Sequence, residues 1–166
     1  MKESIYKFKF NRVLLKSISV WICLAVQACL SFLIIYNEGT IITLILLNLI
    51  FSTLSIPGII LHLNYLKHTS DKLLIVRYNS ISFIDGDKET ILNSFDINTV
   101  ILHESPSGSK FPWWDYSWFE LIDKEGQSIK ISCYLLDISD FWRNSLTRRV
   151  NSNNLKREQS LFPMIK

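Results

Sequence analysis

Two long charge-free apolar runs, followed by a series of short alternating runs, predict a membrane α + β protein. The expected architecture is an N-terminal transmembrane helical hairpin, then an antiparallel β-sheet or partial barrel with a C-terminal capping helix. A third observation, the segregation of charge along the 166 residues, gives that architecture a direction.

Mean hydropathy is +0.20 although 20% of the residues are charged. Both values hold because the charges avoid one region: between Ser17 and Leu66 the only formally charged residue is Glu38. Residues 1–16 carry net +4, residues 70–147 net −5 and residues 148–166 net +4. An acidic domain thus lies between two basic arms. The arms suit contact with anionic lipid, and the acidic centre excludes nucleic-acid binding by the domain.

The hairpin occupies residues 13–66, with spans over about 17–36 and 41–65, after a basic cytoplasmic N-terminus over residues 1–12. Twenty uncharged residues, Ser17–Tyr36, suffice for a hydrocarbon core of about 30 Å. The run is too long for a signal peptide and lacks a small-x-small cleavage site. Only Asn37-Glu38-Gly39-Thr40 joins the spans, so they must be antiparallel neighbours. Lysines and arginines flank the ends away from that turn, which predicts both termini in the cytoplasm and the Glu38 turn outside. Trp21 and Tyr65 fall near the inner interface and Tyr36 near the outer one. Gln27 and Asn48 lie at matching depths, as an interhelical polar pair worth about 0.6 kcal/mol. Pro57-Gly58 predicts either a kink or the point where the second helix leaves the bilayer.

Residues 70–149 read as the β domain. Leu73–Tyr78 and Ile81–Ile84 flank a tight Asn79-Ser80 turn, and Asp85-Gly86-Asp87-Lys88 leads into Thr90–Asn93. Ile97–His103 is a further strand, and Glu104–Pro112 an irregular loop. Tyr116–Ile122 and Ser128–Tyr134 form a hairpin in which Ile129, Ile131 and Cys133 share a face. Ile138, Phe141, Trp142 and Leu146 make one face of a closing helix over Asp137–Arg149, capped by Asp137 or Ser139. Residues 150–166 read as a basic flexible tail. Its apolar end, Leu161-Phe162-Pro163-Met164-Ile165, is either a docking segment or an unstructured terminus.

The run Pro112-Trp113-Trp114-Asp115-Tyr116-Ser117-Trp118, followed by Ile129-Lys130-Ile131-Ser132-Cys133-Tyr134-Leu135-Leu136, resembles the aromatic strand and the I-x-I-T-S/C-L-L strand of membrane-anchored bacterial proteins with a PH-like domain. The order of hairpin, strands and last helix is similar too. This chain has Ser132 where that pattern often has Thr, and Tyr134 precedes its paired leucines. The resemblance implies a PH-like domain and assigns no activity.

No catalytic constellation is legible. His62, His68 and His103 are scattered, and the five glycines form no phosphate loop. Asp85-Gly86-Asp87 lacks the downstream Glu of a calcium loop, and His103-Glu104 with Asp115 reads as a solvated strand end. Cys23, Cys29 and Cys133 have neither zinc spacing nor a plausible bridge. The expectation is therefore no enzyme, no cofactor and no metal. With Arg77 alone near the first strand-to-strand loop, specific phosphoinositide binding is also disfavoured.

The remaining candidate is an interaction surface of Phe111, Trp113, Trp114, Tyr116 and Trp118. These aromatics face a protein partner or a second copy, or rest at the headgroup level. Alternatively the closing helix and the hairpin helices cover them. The leading functional expectation is a non-enzymatic membrane-anchored interaction module that binds a protein partner or self-associates. An immunity or envelope-stress protein, and an accessory subunit of a transporter or channel, are the alternatives.

Overall fold

The computed structural model describes residues 3–106, 111–137, 139–140 and 154–165. In chain order the described elements are β1 (Ser4–Lys7), α1 (Phe10–Tyr36), α2 (Ile41–Lys67), β2 (Lys72–Val76), β3 (Ser80–Asp85), β4 (Lys88–Asn93), β5 (Ile97–Glu104), β6 (Ser117–Asp123), β7 (Ser128–Ser132) and β8 (Leu155–Gln159). One sheet runs β1-β2-β3-β4, all antiparallel; the other runs β7-β6-β5-β8, with β8 parallel to β5.

Each helix has 27 residues, a rise of about 40 Å, and is long and apolar enough to cross a membrane. Their turn is compact because α1 ends in a Schellman motif. Gly39 N–H donates to Ile34 O and Glu38 N–H to Ile35 O, with Glu38 in the left-handed region at φ 55°. A Cβ on Gly39 would lie 2.9 Å from Ile34 O, so this position needs glycine. Thr40 caps α2 by accepting from Thr43 N–H. Between the helices, Gln27 Nε2 donates to Asn48 Oδ1 at 2.8 Å, and Asn48 Nδ2 donates to Ser31 Oγ at 3.2 Å. Helix α2 runs on through Pro57. At Gly58 the helices meet closely: a Cβ there would lie 2.8 Å from Val20 Cγ2.

The hairpin interrupts the first sheet. Strand β1 precedes α1, yet Ser4–Lys7 pair with Val76–Leu73 of β2, beyond α2. The sequence places these residues in a basic arm; Tyr6 instead packs against the inter-sheet core while Lys7 faces out. Both feet of the hairpin are therefore tied into one sheet.

Between the sheets lies an almost wholly aliphatic core. Leu74, Ile81, Phe83 and Leu92 face Val100, Leu102, Phe119, Leu121, Ile129 and Ile131 across it. Gly86 at φ 60° turns β3 into β4, and Gly126 at φ 84° turns β6 into β7.

Two expectations change, and a third lies largely outside the described residues. Strand β7 ends at Ser132, so Cys133 does not continue the Ile129–Ile131 face but turns toward the helices. The proposed tail is not free: Leu155–Gln159 form β8, and Ile165 is buried. Pairing with the β5 edge takes up the backbone hydrogen bonds on one side of the tail, so its polar composition does not prevent a strand. The expected closing helix lies largely outside the described residues; Ser139 and Asp140 are helical.

Candidate functional site at the hairpin–domain junction

A second core joins the helices to the domain and has a different chemistry. Val13, Leu61 and Tyr65 of the helices pack with Trp113, Tyr116, Trp118, Cys133, Tyr134 and Ile165. Each helix is longer than a hydrocarbon layer of about 30 Å requires, and the domain packs against the helix ends away from the Asn37–Thr40 turn. Position by position, helical spacing brings Val13 and Ser17 of α1, and Leu61 and Tyr65 of α2, onto the buried side.

Most polar atoms in this core are paired, although among the described residues the buried Trp118 Nε1 has no hydrogen-bond partner. His62 Nδ1 lies 2.7 Å from Tyr134 Oη and 3.2 Å from Tyr116 Oη, and the two hydroxyls are 3.3 Å apart. Tyr65 Oη donates to Pro163 O at 2.7 Å, with its ring edge-on to those of Tyr116 and Tyr134. Thr69 Oγ1 and Ser132 Oγ share a hydrogen bond of 2.6 Å. Asn64 grips the chain end twice: Nδ2 donates to Ile165 O and Oδ1 accepts from Ile165 N–H. Trp113 Nε1–H donates to Leu161 O.

Burial pushes the Tyr116 phenol up to about 12 and the Cys133 thiol up to about 11. It raises Tyr134 as well, and Tyr116 beside it adds to the shift. All three stay protonated near neutral pH, so the phenols remain hydrogen-bond donors and the thiol is no nucleophile. The triad of His62, Tyr116 and Tyr134 is thus suited to holding two elements together.

The rim of the junction is ionic. Arg12 donates to Leu135 O and pairs with Asp140 at 2.6 Å; Lys16 pairs with Asp137 at 3.3 Å. Burial raises Asp115, with Lys16 opposing the shift. Two cations of the N-terminal arm therefore meet the domain's own acids.

The five aromatics proposed as an interaction surface divide. Trp113, Tyr116 and Trp118 are buried, whereas Trp114 is 56% and Phe111 36% exposed. Only part of the five-residue surface is thus open: the hairpin covers Trp113 and Tyr116, and His103 stacks on Trp118 at 3.7 Å. Both faces of the β6 segment are covered because the second layer is supplied by the helices. Sequence reasoning missed Tyr134, Asn64 and Ile165 as junction residues. A polar Asn in the last turns of an apolar helix was the available signal.

His103 and Asp115 do not form a joint site. His103 lies 3.3 Å from Glu158 and 3.7 Å from Glu120, and Asp115 lies among Lys16 and Asp137. Burial lowers the His103 pKa, against the pull of both glutamates. Among the described residues, no group of three His, Cys, Asp or Glu side chains is placed to hold a metal. A recess of about 200 Å³ collects His68, Lys72, Lys88 and Lys130, but Asp85 already pairs with Lys72 at 2.9 Å.

A protein-family model described as a PH domain matches residues 5–143, from β1 through the hairpin and across β2–β7. No curated protein matches the chain. The match covers most of the chain and agrees with the two-sheet architecture, so this chain belongs to the PH-domain family, with an apolar helical hairpin inserted between its first two described strands.

Proposed function

We propose that this protein is a membrane-anchored, non-catalytic interaction module that holds its PH-like domain at the inner face of a bacterial cytoplasmic membrane. The observation that carries the reading is the insertion of the hairpin between β1 and β2, sealed by the His62–Tyr116–Tyr134 junction. An anchor on a flexible linker would only localise a domain; an anchor built into the sheet also orients it. Positive charge before α1 and after α2 supports cytoplasmic termini. PH domains are typically interaction modules, which favours binding over chemistry.

The partner is a protein or a second copy. On the first sheet Ile5 and Ile91 are exposed in one cross-strand row, and Tyr78 and Phe95 are exposed in the loops beside it. Ser94 N–H donates to Asn79 O, which brings the loops carrying Tyr78 and Phe95 to the same end of that sheet. Gln27 and Asn48 bond to each other, which speaks against a pore-lining role and so against a channel subunit.

The test is purification of the full chain in mild detergent, followed by crosslinking and mass measurement. Phe95→Asp with Ile91→Asp should remove a co-purifying protein or a higher oligomer while the domain keeps its melting transition. Assembly that survives both charges would reject this face as the contact.

A further inference from the structure

A group of exposed apolar side chains on the domain sits at the wrong height to face water. Phe111 and Phe162 both stack on Trp113, Phe111 at 5.0 Å and 7° and Phe162 at 5.2 Å and 27°. Trp113 in turn holds Leu161 O by its indole N–H. Around this stack Phe111, Trp114, Leu161, Phe162 and Met164 are between 36% and 56% exposed. Two segments far apart in sequence thus build one lobe that carries these five exposed apolar side chains.

The height of the lobe follows from the helices. A Cβ on Gly58 would lie 3.7 Å from Trp113 Cε3, so the stack abuts α2 at that level. From Ile41 to Gly58 the helix rises about 25 Å, and from Tyr36 to Lys16 about 30 Å. With the Asn37–Thr40 turn at the outer surface, Lys16 falls at the inner edge of a hydrocarbon layer of about 30 Å. Gly58 then falls about 5 Å inside that edge, and any tilt of the helices carries it deeper. The ion pair of Lys16 with Asp137 agrees, because it keeps the domain's acids on the aqueous side. Trp21, half exposed on α1, lies near the depth of Gly58 and completes an aromatic belt.

We infer that this lobe is immersed in the inner leaflet, with Phe111, Trp114, Leu161, Phe162 and Met164 in the layer between headgroups and acyl chains. The inference rests on the proposal that the hairpin spans the membrane. Its occupant is lipid because the stack abuts α2 at Gly58, between Ile56 and Ile60, which are themselves exposed on that apolar helix. Such a lobe gives the domain a third point of attachment beside the two helices, so it cannot swivel about the hairpin. It also makes the domain's seating sensitive to how tightly the lipids pack.

The full chain is reconstituted in phosphatidylcholine–phosphatidylglycerol vesicles whose acyl chains carry bromine either near the headgroup or near the chain end. Trp114 emission is isolated as the difference between the native protein and Trp114→Phe, and Trp21 emission from Trp21→Phe. Immersion predicts loss of Trp114 emission with brominated lipid, larger for the shallow bromines, and protection from aqueous iodide. If Trp21 is quenched by brominated lipid while Trp114 responds only to iodide, the lobe is not immersed although the hairpin is. If neither responds to brominated lipid, the spanning hairpin fails and the lobe with it.

Discussion

The core between the two sheets and the core at the hairpin junction are of similar importance to the fold, but they are built on opposite principles. The first is assembled from Leu, Ile and Val around Phe83 and Phe119. The second is dominated by Trp and Tyr, and its hydroxyl, imidazole and amide groups bond across the boundary between helix and domain. An aliphatic core gains from area removed from water and is indifferent to direction. Hydrogen-bonded aromatic contacts are directional, and they dictate one orientation of two parts that would otherwise slide. The domain is therefore stabilised by its first core and aimed by its second.

Truncation in the aliphatic core should produce the largest effect. Phe119 is fully buried, and Phe119→Ala should cost about 3–5 kcal/mol through lost burial and the cavity left behind. Loss of cooperative unfolding of the domain in urea reads this out. A cost below about 1 kcal/mol would mean that the inter-sheet core is not the stabilising one.

Removing a single hydroxyl at the junction should do less to stability and more to orientation. Tyr134→Phe deprives His62 of its 2.7 Å partner and should cost about 1–2 kcal/mol. Hydrogen exchange should accelerate at the C-terminal end of α2 and over residues 161–165, with the two sheets unchanged. Uniform acceleration across the sheets would show that the two cores are a single cooperative unit.

The smallest effect concerns His103, on the outer face of the second sheet. Its folded pKa is lowered by burial, although Glu158 and Glu120 pull it upward and Lys130 also faces it. The folded state therefore prefers the neutral ring and binds fewer protons than the unfolded chain. Stability from this group is present above the unfolded pKa of about 6.5 and is lost as pH falls below it. The domain should melt lower at mildly acidic pH than at neutral pH. His103→Gln should flatten that dependence, and an unchanged slope would assign it to other groups such as His68, which burial and nearby lysines shift the same way.

Much of this molecule was legible in sequence because much of it is local. A charge-free run of twenty residues forms a helix in apolar surroundings regardless of what lies elsewhere. Alternation placed β2 to β7 to within a few residues, and the Asp85-Gly86 and Gly126 turns are required by their own backbone geometry. Gln27 and Asn48 were paired by depth alone, since a four-residue turn leaves antiparallel helices no choice of register.

Strands β1 and β8 escaped for the opposite reason. Leu155-Lys156-Arg157-Glu158-Gln159 has no alternation to read, because an edge strand exposed on most of its surface needs none; the β5 edge makes it a strand. Ser4–Lys7 has its partner beyond two helices, a pairing that no local pattern encodes. The aromatic run shows the same limit. Its residues announced that something must cover them, but whether a partner, a lipid layer or the chain's own helices did so is a question of what packs against β6. Tertiary structure answers it separately for each side chain: Trp113 and Tyr116 lie under the hairpin, Trp118 under His103, and Trp114 is left outside.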